Sequence, residues 1–373
     1  MSTRPLRWTV LATHVPAGGS LGGVVRYTTE LMRALAARDD VELSAVAGSA
    51  AADTIAEIVG DRARVSVVPD LPTPAMSLVE RLLPLQLAGA DVVQGVKHLV
   101  PRRTSAFTVL TVHDMLLLDR PDDFGQVKRL LLPGPYRASI RDADLVVCVS
   151  EATRQRLRAF VPEALSSATV TPLATSPTLR SATPEPLASL AGKRYALVVG
   201  DASPRKNLQT LVSAWPAIRA TLPDAVLAIA GPPSWGRTEV GDLYDSLVAD
   251  GAIVPLGYVS DAELRWAYEH TTVALCPSLA EGFGLPAAEA LDFGAPVIVS
   301  DDAALREVAG ATALGVVAAR DIGAWVRAVT SAFRGGPATT RPRLVRTWDD
   351  VAEETVRAVR DRITDRRPTR RAG

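Results

Sequence analysis

Short apolar runs alternate with stretches of helical periodicity along most of this chain. Residues 24–37 have apolar positions at the spacing of an amphipathic helix, and the flanking runs are short and apolar, as in buried strands. Residues 208–218 repeat the helical pattern after another apolar run. Strands that alternate with helices are typical of parallel sheets, so both halves are predicted to be α/β. The predicted strands are 7–14, 41–47, 65–68, 91–94, 108–112 and 145–150 in the first half, and 195–200, 225–230, 253–256, 273–277 and 296–300 in the second.

The chain is long enough for two domains. Its 373 residues exceed what one hydrophobic core usually supports. Residues 171–192 are rich in Pro, Ser, Thr and Ala and lack periodicity, which is typical of a connecting segment. We therefore predict a first domain at 1–175, a linker at 176–192 and a second domain at 193–346. Residues 365–373 form a basic tail that is predicted to be flexible.

Composition narrows the classes of function. The 41 basic and 41 acidic side chains give zero formal net charge, which argues against a dedicated nucleic-acid-binding protein. Cys148 and Cys276 lie inside apolar runs, so we expect buried strand residues rather than a disulfide or metal ligands. The first residues contain too short an apolar stretch for a signal peptide, and no run reaches the roughly 18 apolar residues of a membrane span. The expected location is the cytoplasm.

Two glutamates eight positions apart flank a glycine turn in the second half. Pro286 suits the first turn of a helix, so Glu281 is predicted to precede that helix and Glu289 to lie about one turn inside it. Gly282 and Gly284 can take positive φ and let backbone N–H groups approach a ligand. The unit therefore suits a ligand that combines phosphate with hydroxyl groups, such as a nucleotide sugar. The alternative is an ordinary capped helix with a solvated Glu289.

A basic pair follows the strand that ends at Gly200. Arg205 and Lys206 are predicted to lie beyond the carboxyl end of that strand and before the helix at 208–218, where open α/β sheets bind ligands. An Arg fork beside a Lys point charge can neutralise a diphosphate without a metal ion. The alternative is a solvated basic pair in a turn.

Together these segments resemble the family 4 retaining glycosyltransferases. That family has the GT-B fold, in which two Rossmann-like, doubly wound parallel-sheet domains face each other across a cleft. The resemblance implies that Glu281 contacts the transferred sugar and that Glu289 binds the ribose hydroxyls of the nucleotide. It assigns Arg205 and Lys206 to the donor diphosphate. It also implies a closing helix at 347–364 that returns to the first, acceptor-side domain.

The same resemblance assigns further ligand-binding positions. Gly22, Gly23 and Arg26 match a glycine-rich element near the donor phosphate, although the glycines alone fit a simple tight turn. His113 ends a predicted strand where relatives hydrogen-bond the transferred sugar, whereas a lone His is more often structural. Ser150 is expected to line the cleft. The remaining assigned positions are Gly200, Tyr258, Val259, Gly282, Phe283, Gly284 and Leu285, with Tyr258 and Val259 contacting the nucleotide base mostly through backbone atoms.

The sequence thus predicts a retaining hexosyltransferase that uses a nucleotide sugar and needs neither cofactor nor metal. Asp142 and Asp144 spell a D-x-D motif but sit in a predicted helix-to-strand connection, so they receive no metal. By resemblance, the donor is GDP-mannose first and dTDP-rhamnose second, and the acceptor is a glycan or lipid-linked glycan of the cell envelope. One alternative is a catalytically inactive nucleotide-sugar-binding or scaffold protein. A nicotinamide-dependent oxidoreductase is a second, but the G-x-G-x-x-G spacing is missing.

A basic and apolar segment in the first domain suggests contact with a membrane. Arginines and lysines are dense across 97–158, and Leu130, Leu131, Leu132 and Tyr136 lie among them on a predicted helix. Such a surface fits the cytosolic face of an anionic membrane. The alternative is a set of core leucines with arginines solvated on the opposite face.

Overall fold

The chain folds into two compact units in the computed structural model, and each is described separately. Unit 1 comprises Met1–Leu173 with Thr347–Gly373, and unit 2 comprises Ala174–Arg346. The predicted linker, 176–192, lies within unit 2, where its leucines join the core. The structure describes residues 4–18, 22–82, 89–97, 99–232, 241–335 and 346–366.

Unit 1 contains a parallel sheet with helical connections. Its described strands are β1 (Leu6–Leu11), β2 (Val41–Gly48), β3 (Ala63–Val68), β4 (Val92–Gly95), β5 (Phe107–Val112), β6 (Leu145–Cys148) and β7 (Ala168–Val170). The helices are α1 (Gly23–Ala36), α2 (Ala52–Val59), α3 (Thr73–Leu82), α4 (Leu116–Asp119), α5 (Gln126–Leu131), α6 (Pro133–Asp142) and α7 (Glu151–Phe160). Within the described residues the strand order is β3-β2-β1-β4-β5-β6-β7, so the direction of winding reverses between β1 and β4.

Unit 2 repeats this doubly wound arrangement. Its described strands are β8 (Tyr195–Val199), β9 (Val226–Ala230), β10 (Ile253–Gly257), β11 (Val273–Cys276), β12 (Val297–Ser300) and β13 (Gly315–Val317). The helices are α8 (Pro177–Ser181), α9 (Leu208–Thr221), α10 (Gly241–Ala249), α11 (Asp261–His270), α12 (Leu285–Asp292), α13 (Ala303–Ala309) and α14 (Ile322–Arg334). The order β10-β9-β8-β11-β12-β13 places its reversal between β8 and β11.

The sheet of unit 2 is buried on both faces, which explains its unbroken apolar runs. Successive residues of β8 point to opposite sides: Tyr195 and Leu197 join one core, and Ala196 and Val198 join the other. Parallel strands buried on both sides read as continuous apolar segments in the sequence, and that is the pattern from which the α/β class was predicted.

The predicted fold class is confirmed, with corrections at the ends of elements. Strand β1 ends at Leu11 rather than at position 14, so Thr13 and His14 lie in the loop that follows it. Strands β7 and β13 have only three residues each and were not predicted. Cys148 and Cys276 are free and buried, as expected from the apolar runs around them.

A last helix, α15 (Trp348–Arg366), belongs to unit 1. Trp348 is buried and packs edge-on against Tyr27 on α1, with 5.6 Å between ring centroids. Arg360 pairs with Asp40 at 3.3 Å between Nη2 and Oδ2. The helix continues two residues past its predicted end, into the predicted tail, and residues 367–373 lie outside the described part of the chain. No described helix is both long and apolar enough to cross a bilayer.

Candidate active site

The loops that leave β8 and β11 meet at the reversal point of the unit 2 sheet. These strands are direct neighbours, with Val273 opposite Ala196 and Ala274 opposite Leu197. The chain beyond each strand therefore emerges at the same edge, where open α/β sheets form a ligand-binding crevice. A small pocket there is lined by residues of both loops, including Gly200, Lys206, Cys276, Glu281 and Gly284.

Gly200 opens the loop after β8 in a conformation that favours glycine. Its φ is 146°, and its N–H donates to the Ala230 carbonyl over 2.9 Å. Space around it is limited, because a Cβ on Gly231 would lie 2.0 Å from the Gly200 oxygen. The backbones that follow β8 and β9 therefore approach each other closely at these two glycines.

Asn207 fixes that loop against its neighbours, although the sequence did not single it out. It takes the left-handed conformation at φ 55° and is 1% exposed. Its side-chain amide donates to the carbonyls of Pro277 over 2.9 Å and Ala319 over 2.7 Å. Thr210 donates in turn to its side-chain oxygen over 2.7 Å. Within the Pro-Arg-Lys-Asn segment, Asn207 therefore links the loop that carries the two cations to neighbouring loops.

Glu281 forms ion pairs with both cations of the basic pair. Lys206 Nζ lies 2.6 Å from Oε1, and Arg205 Nη1 lies 3.1 Å from Oε2. Ser278, another residue not predicted, donates its hydroxyl to Oε1 over 2.7 Å. Asp201 accompanies Arg205 more loosely, at 3.7 Å. Arg205, Lys206, Glu281 and His113 are the residues predicted to act on the diphosphate and the transferred sugar, and the structure brings the first three together.

The electrostatics of this cluster favour an ionised carboxylate. Burial alone would raise the pKa of Glu281, but the charges of Lys206 and Arg205, with hydrogen bonds from Lys206 and Ser278, hold the pKa below its usual value. The Glu281 side chain is 10% exposed and that of Lys206 is 15% exposed, so little water screens the pair. Two cations that stabilise one buried anion can stabilise another that arrives in its place.

The glycine turn after Glu281 leads directly into α12. Gly284 is the N-cap at φ 94°, where a Cβ would lie 2.6 Å from Leu305 Cδ2. Leu285 is the first helical residue and Pro286 lies in the first turn, as the sequence predicted. Phe283, beside Gly282, packs against the apolar core and supports the turn.

Glu289 lies one turn further along α12 and is not solvated. It is 2% exposed, and Tyr268 donates its hydroxyl to Oε2 over 3.0 Å. The alternative of a carboxylate on a solvated face is therefore excluded. A buried carboxylate held by a tyrosine is oriented before any ligand arrives, but its predicted contact with a ribose stays a prediction.

The loop after β10 contains the residues predicted to contact the base. Tyr258 is 62% exposed, whereas Val259 packs against the core. Ser260 then caps α11, with Glu263 completing a capping box. This geometry leaves the Tyr258 ring accessible from the same edge of the sheet.

His113 lies in unit 1, in the loop after β5. Its Nε2 donates to the Val96 carbonyl over 2.8 Å, and the Tyr27 ring meets it edge-on at 4.7 Å. Burial lowers the pKa of His113 to about 4. The imidazole is therefore neutral near pH 7, with its proton on Nε2 and a lone pair on Nδ1 that can accept a hydrogen bond from a hydroxyl.

The other predicted positions of unit 1 serve helix starts. Gly22 is the N-cap of α1 at φ 86°, Gly23 begins that helix, and Arg26 follows in its first turn, whereas residues 19–21 of the glycine element lie outside the described chain. Ser150 is fully buried and caps α7 by accepting from the Thr153 N–H over 3.0 Å. The Ser150 side chain therefore caps a helix, and its predicted contact with ligand stays a prediction.

The D-x-D motif also has structural partners. Asp142 accepts from Arg81 over 2.5 Å, and Asp144 accepts from the Thr108 N–H over 2.8 Å. Among the described residues, no group of three or more His, Cys, Asp or Glu side chains is arranged to hold a metal ion.

Comparison with known proteins gives consistent matches over both units. Residues 21–172 match the family model described as Glycosyltransferase Family 4, and residues 180–344 match Glycosyl transferases group 1. The chain is 27% identical over 322 residues to O-antigen chain mannosyltransferase B of Escherichia coli, covering 81% of this chain and 84% of that protein. It is 26% identical over 227 residues to the serotype-specific mannosyltransferase WbdA of the same species, covering 56% of this chain and 28% of that protein.

A solved structure supports the fold. Sucrose-phosphate synthase from Thermosynechococcus elongatus superposes with a TM-score of 0.73 at 18% identity, covering 96% of this chain and all of that one. At that identity the likeness bears on the fold alone.

Glu281→Gln is expected to raise the affinity for GDP or UDP by about fivefold or more, equivalent to roughly 1 kcal/mol. The reason is that a neutral amide no longer competes with an incoming diphosphate for Arg205 and Lys206. Calorimetric titration of wild type and variant measures the change, with Glu185→Gln, an exposed glutamate of unit 2, as the matched control. Unchanged or weaker nucleotide binding in Glu281→Gln would show that the diphosphate does not compete with this carboxylate.

Proposed function

We propose that this chain, which belongs to the family 4 glycosyltransferases, transfers a hexose or deoxyhexose from a nucleoside-diphosphate sugar to a glycan or glycolipid, with retention of anomeric configuration. The reaction would serve the synthesis of cell-envelope polysaccharide or another glycoconjugate. The observation that carries the proposal is the cluster of Arg205, Lys206 and Glu281 at the sheet reversal of unit 2.

The leaving group explains why two cations are needed. As the sugar departs, negative charge develops on the nucleoside diphosphate, and preorganised donors in a water-poor site stabilise it most effectively. Arg205 and Lys206 would supply those donors, with the backbone N–H groups near Gly22 and Gly23 adding to the field. Glu281 and His113 would orient the sugar through its hydroxyl groups. We assign no nucleophile.

GDP-mannose is the first donor to test and dTDP-rhamnose the second. Two of the most similar relatives are named as mannosyltransferases, which supports mannose without identifying it. Glu289 would bind the ribose, and Tyr258 and Val259 would contact the base. The proposed location is the cytoplasm, at the inner face of the cell membrane, with no nucleic acid as a partner.

A catalytically inactive protein of the same fold is the alternative. The complete set of Arg205, Lys206, Glu281 and His113 favours an enzyme, since a scaffold that only binds nucleotide has no need of a group beside the sugar. Release of nucleoside diphosphate is measured with each candidate donor, with and without a mannose-terminated primer. Release would identify an enzyme, and its absence an inactive protein.

Lys206→Ala is expected to lower turnover by about a hundredfold or more, the usual scale for removing one preorganised charge donor. The fold should persist with a lower melting temperature, because Lys206 is removed from a buried ion pair while Arg205 still pairs with Glu281. The measurement is transfer from GDP-mannose or dTDP-rhamnose together with a melting curve, and Lys193→Ala, an exposed lysine of the same unit, is the control. Near-normal turnover in Lys206→Ala would remove this loop from the leaving-group site.

Activity is expected to persist in chelator, because cationic side chains and backbone amides would neutralise the diphosphate in place of a divalent ion. Initial rates are compared in excess EDTA, in Mg²⁺ and in Mn²⁺. Loss of transfer in EDTA that either ion restores would contradict metal independence.

The surface of α5 supports peripheral contact with an anionic membrane. Val127 is 60% exposed and Leu130 is 82% exposed, and both lie on the same short helix as Lys128 and Arg129. Leu132 and Tyr136, by contrast, are buried in the core of unit 1, so the membrane interpretation applies only to α5 itself. Apolar side chains among basic ones suit the boundary between headgroups and acyl chains.

Wild-type protein is expected to float with vesicles containing anionic lipid at low salt and less at physiological salt, since each well-placed Lys or Arg contributes about 1 kcal/mol. Val127→Ser with Leu130→Ser should reduce flotation at both salt concentrations. Val67→Ser, at an exposed valine of β3, is the matched control. If the wild-type protein does not bind anionic vesicles at either salt concentration, a water-soluble acceptor is indicated.

A further inference from the structure

A second cluster of charged groups lies at the reversal point of the unit 1 sheet. Thr13 follows β1 by two positions and Lys97 follows β4 by two positions. The register pairs Leu11 with Gly95, so both residues emerge at the same edge. Glu80, on α3, reaches this edge and accepts a hydrogen bond from the Thr13 hydroxyl. The cluster thus occupies the position in unit 1 that the candidate active site occupies in unit 2.

Glu80 is an unusual carboxylate for a purely structural role. Its side chain is buried, and among the described residues the Thr13 hydroxyl donates a hydrogen bond to it. A carboxylate has room for about four such bonds. Glu281 and Asp142, in contrast, are each held by an arginine or lysine at close range. Glu80 therefore retains capacity to accept hydrogen bonds.

Glu80 is expected to occur in both its protonated and its ionised form near neutral pH. Burial raises the pKa of Glu80 to about 7, against the opposing effects of the Thr13 hydrogen bond and the charge of Lys97. Burial likewise lowers the pKa of Lys97 to about 8, and the charge of Lys128 on α5 lowers it further. Groups with such shifts beside a crevice are candidates for ligand binding.

The helix that carries Glu80 is fixed in place. The neighbouring residue, Arg81, donates to the Val100 carbonyl over 3.1 Å and to Ser139 Oγ over 2.9 Å. It also pairs with Asp142 at the end of α6 over 2.5 Å. The Glu80 carboxylate is therefore already positioned before a ligand binds.

Two hydrogen-bond acceptors lie near this edge, namely the Glu80 carboxylate and Nδ1 of His113. His113 donates to the carbonyl of Val96, the residue directly before Lys97, and keeps its Nδ1 lone pair. Hydroxyl groups are the ligands that acceptors of this kind recognise, and a protonated amine beside them can donate to a hydroxyl oxygen. These groups of unit 1 thus suit the recognition of a polyhydroxyl molecule.

We propose that Glu80, with Thr13 and Lys97, forms a subsite on unit 1 that binds hydroxyl groups of the sugar acceptor. Glu80 accepts from an acceptor hydroxyl, and Lys97 donates to a second oxygen of the same sugar. This assignment rests on the proposed function for the identity of the ligand as an acceptor. The competing explanation is that Glu80 only ties α3 to the loop after β1.

Kinetics of full-length Glu80→Gln test the subsite. Transfer from GDP-mannose to a synthetic mannotriose is measured from pH 6 to 8.5, with Glu57→Gln, an exposed glutamate on α2, as the control. Glu80→Gln is expected to raise KM for mannotriose by about tenfold to a hundredfold, the scale of a hydrogen bond to a charged group. KM for GDP-mannose should change less than about twofold, because the predicted donor residues of unit 2 are untouched.

The pH profile separates binding from a structural tie. The ionised carboxylate is the better acceptor, so the wild-type KM for mannotriose should rise as the pH falls through about 7, and the Glu80→Gln profile should be flat there. The other charged or titratable groups around the cluster are Lys97, Lys128, Arg81, Asp142, His14 and His113. Of these, Lys97 would lose its charge above about pH 8, which weakens binding on the alkaline side.

Several outcomes would overturn the proposal. A folded Glu80→Gln with a wild-type KM for mannotriose and an unchanged pH profile assigns Glu80 to structure alone. If Glu80→Gln fails to fold, Lys97→Gln, which changes a half-buried side chain, replaces it, and an unchanged KM then overturns the subsite. If the wild type transfers no sugar, the proposed function fails instead. In that case saturation-transfer NMR with mannotriose still decides the subsite, because wild type should bind it and Glu80→Gln should not.

Discussion

The arrangement of unit 2 depends on one buried carboxylate held between two cations. Burying Glu281 is unfavourable unless Lys206 and Arg205 reach it, and they reach it only because the loop after β8 lies against the loop after β11. Two features secure that contact. Strands β8 and β11 pair directly, and Asn207 joins the two loops. Removing either Lys206 or Arg205 would leave the charge of Glu281 less well compensated in a site with little water.

The same carboxylate has a second consequence for ligand binding. Lys206 and Arg205 are already desolvated and oriented in the absence of a ligand, so an incoming anion meets donors whose ordering is complete. It must, however, share them with Glu281. The site therefore balances a strong positive field against an internal anion, which in the proposed reaction would limit how tightly the nucleoside diphosphate is held after transfer.

Sequence patterns predicted the fold class correctly, for physical reasons, whereas ligand binding by the unit 2 cluster stays a prediction. Strands buried on both faces produce continuous apolar runs, and Gly284 with Pro286 specifies a turn that enters a helix. Contacts between distant segments were not visible in the sequence. Ser278 and Asn207 matter through partners that only the tertiary structure supplies. The capping role of Ser150 was not predicted, and Glu80 gave no signal because an isolated glutamate in a helical pattern is usually solvated.

The placement of α15 bears on how the protein folds during synthesis. Unit 2 is one continuous segment, whereas unit 1 draws on residues at both sides of it. Tyr27 remains without the Trp348 ring, and Asp40 without the Arg360 guanidinium, until the ribosome has made all of unit 2 and α15 has emerged. Domains generally fold as units while the chain elongates at about 5–20 residues per second. The first unit to begin synthesis is thus the last that can complete its core, and the part of α1 that packs against α15 stays uncovered in the interval.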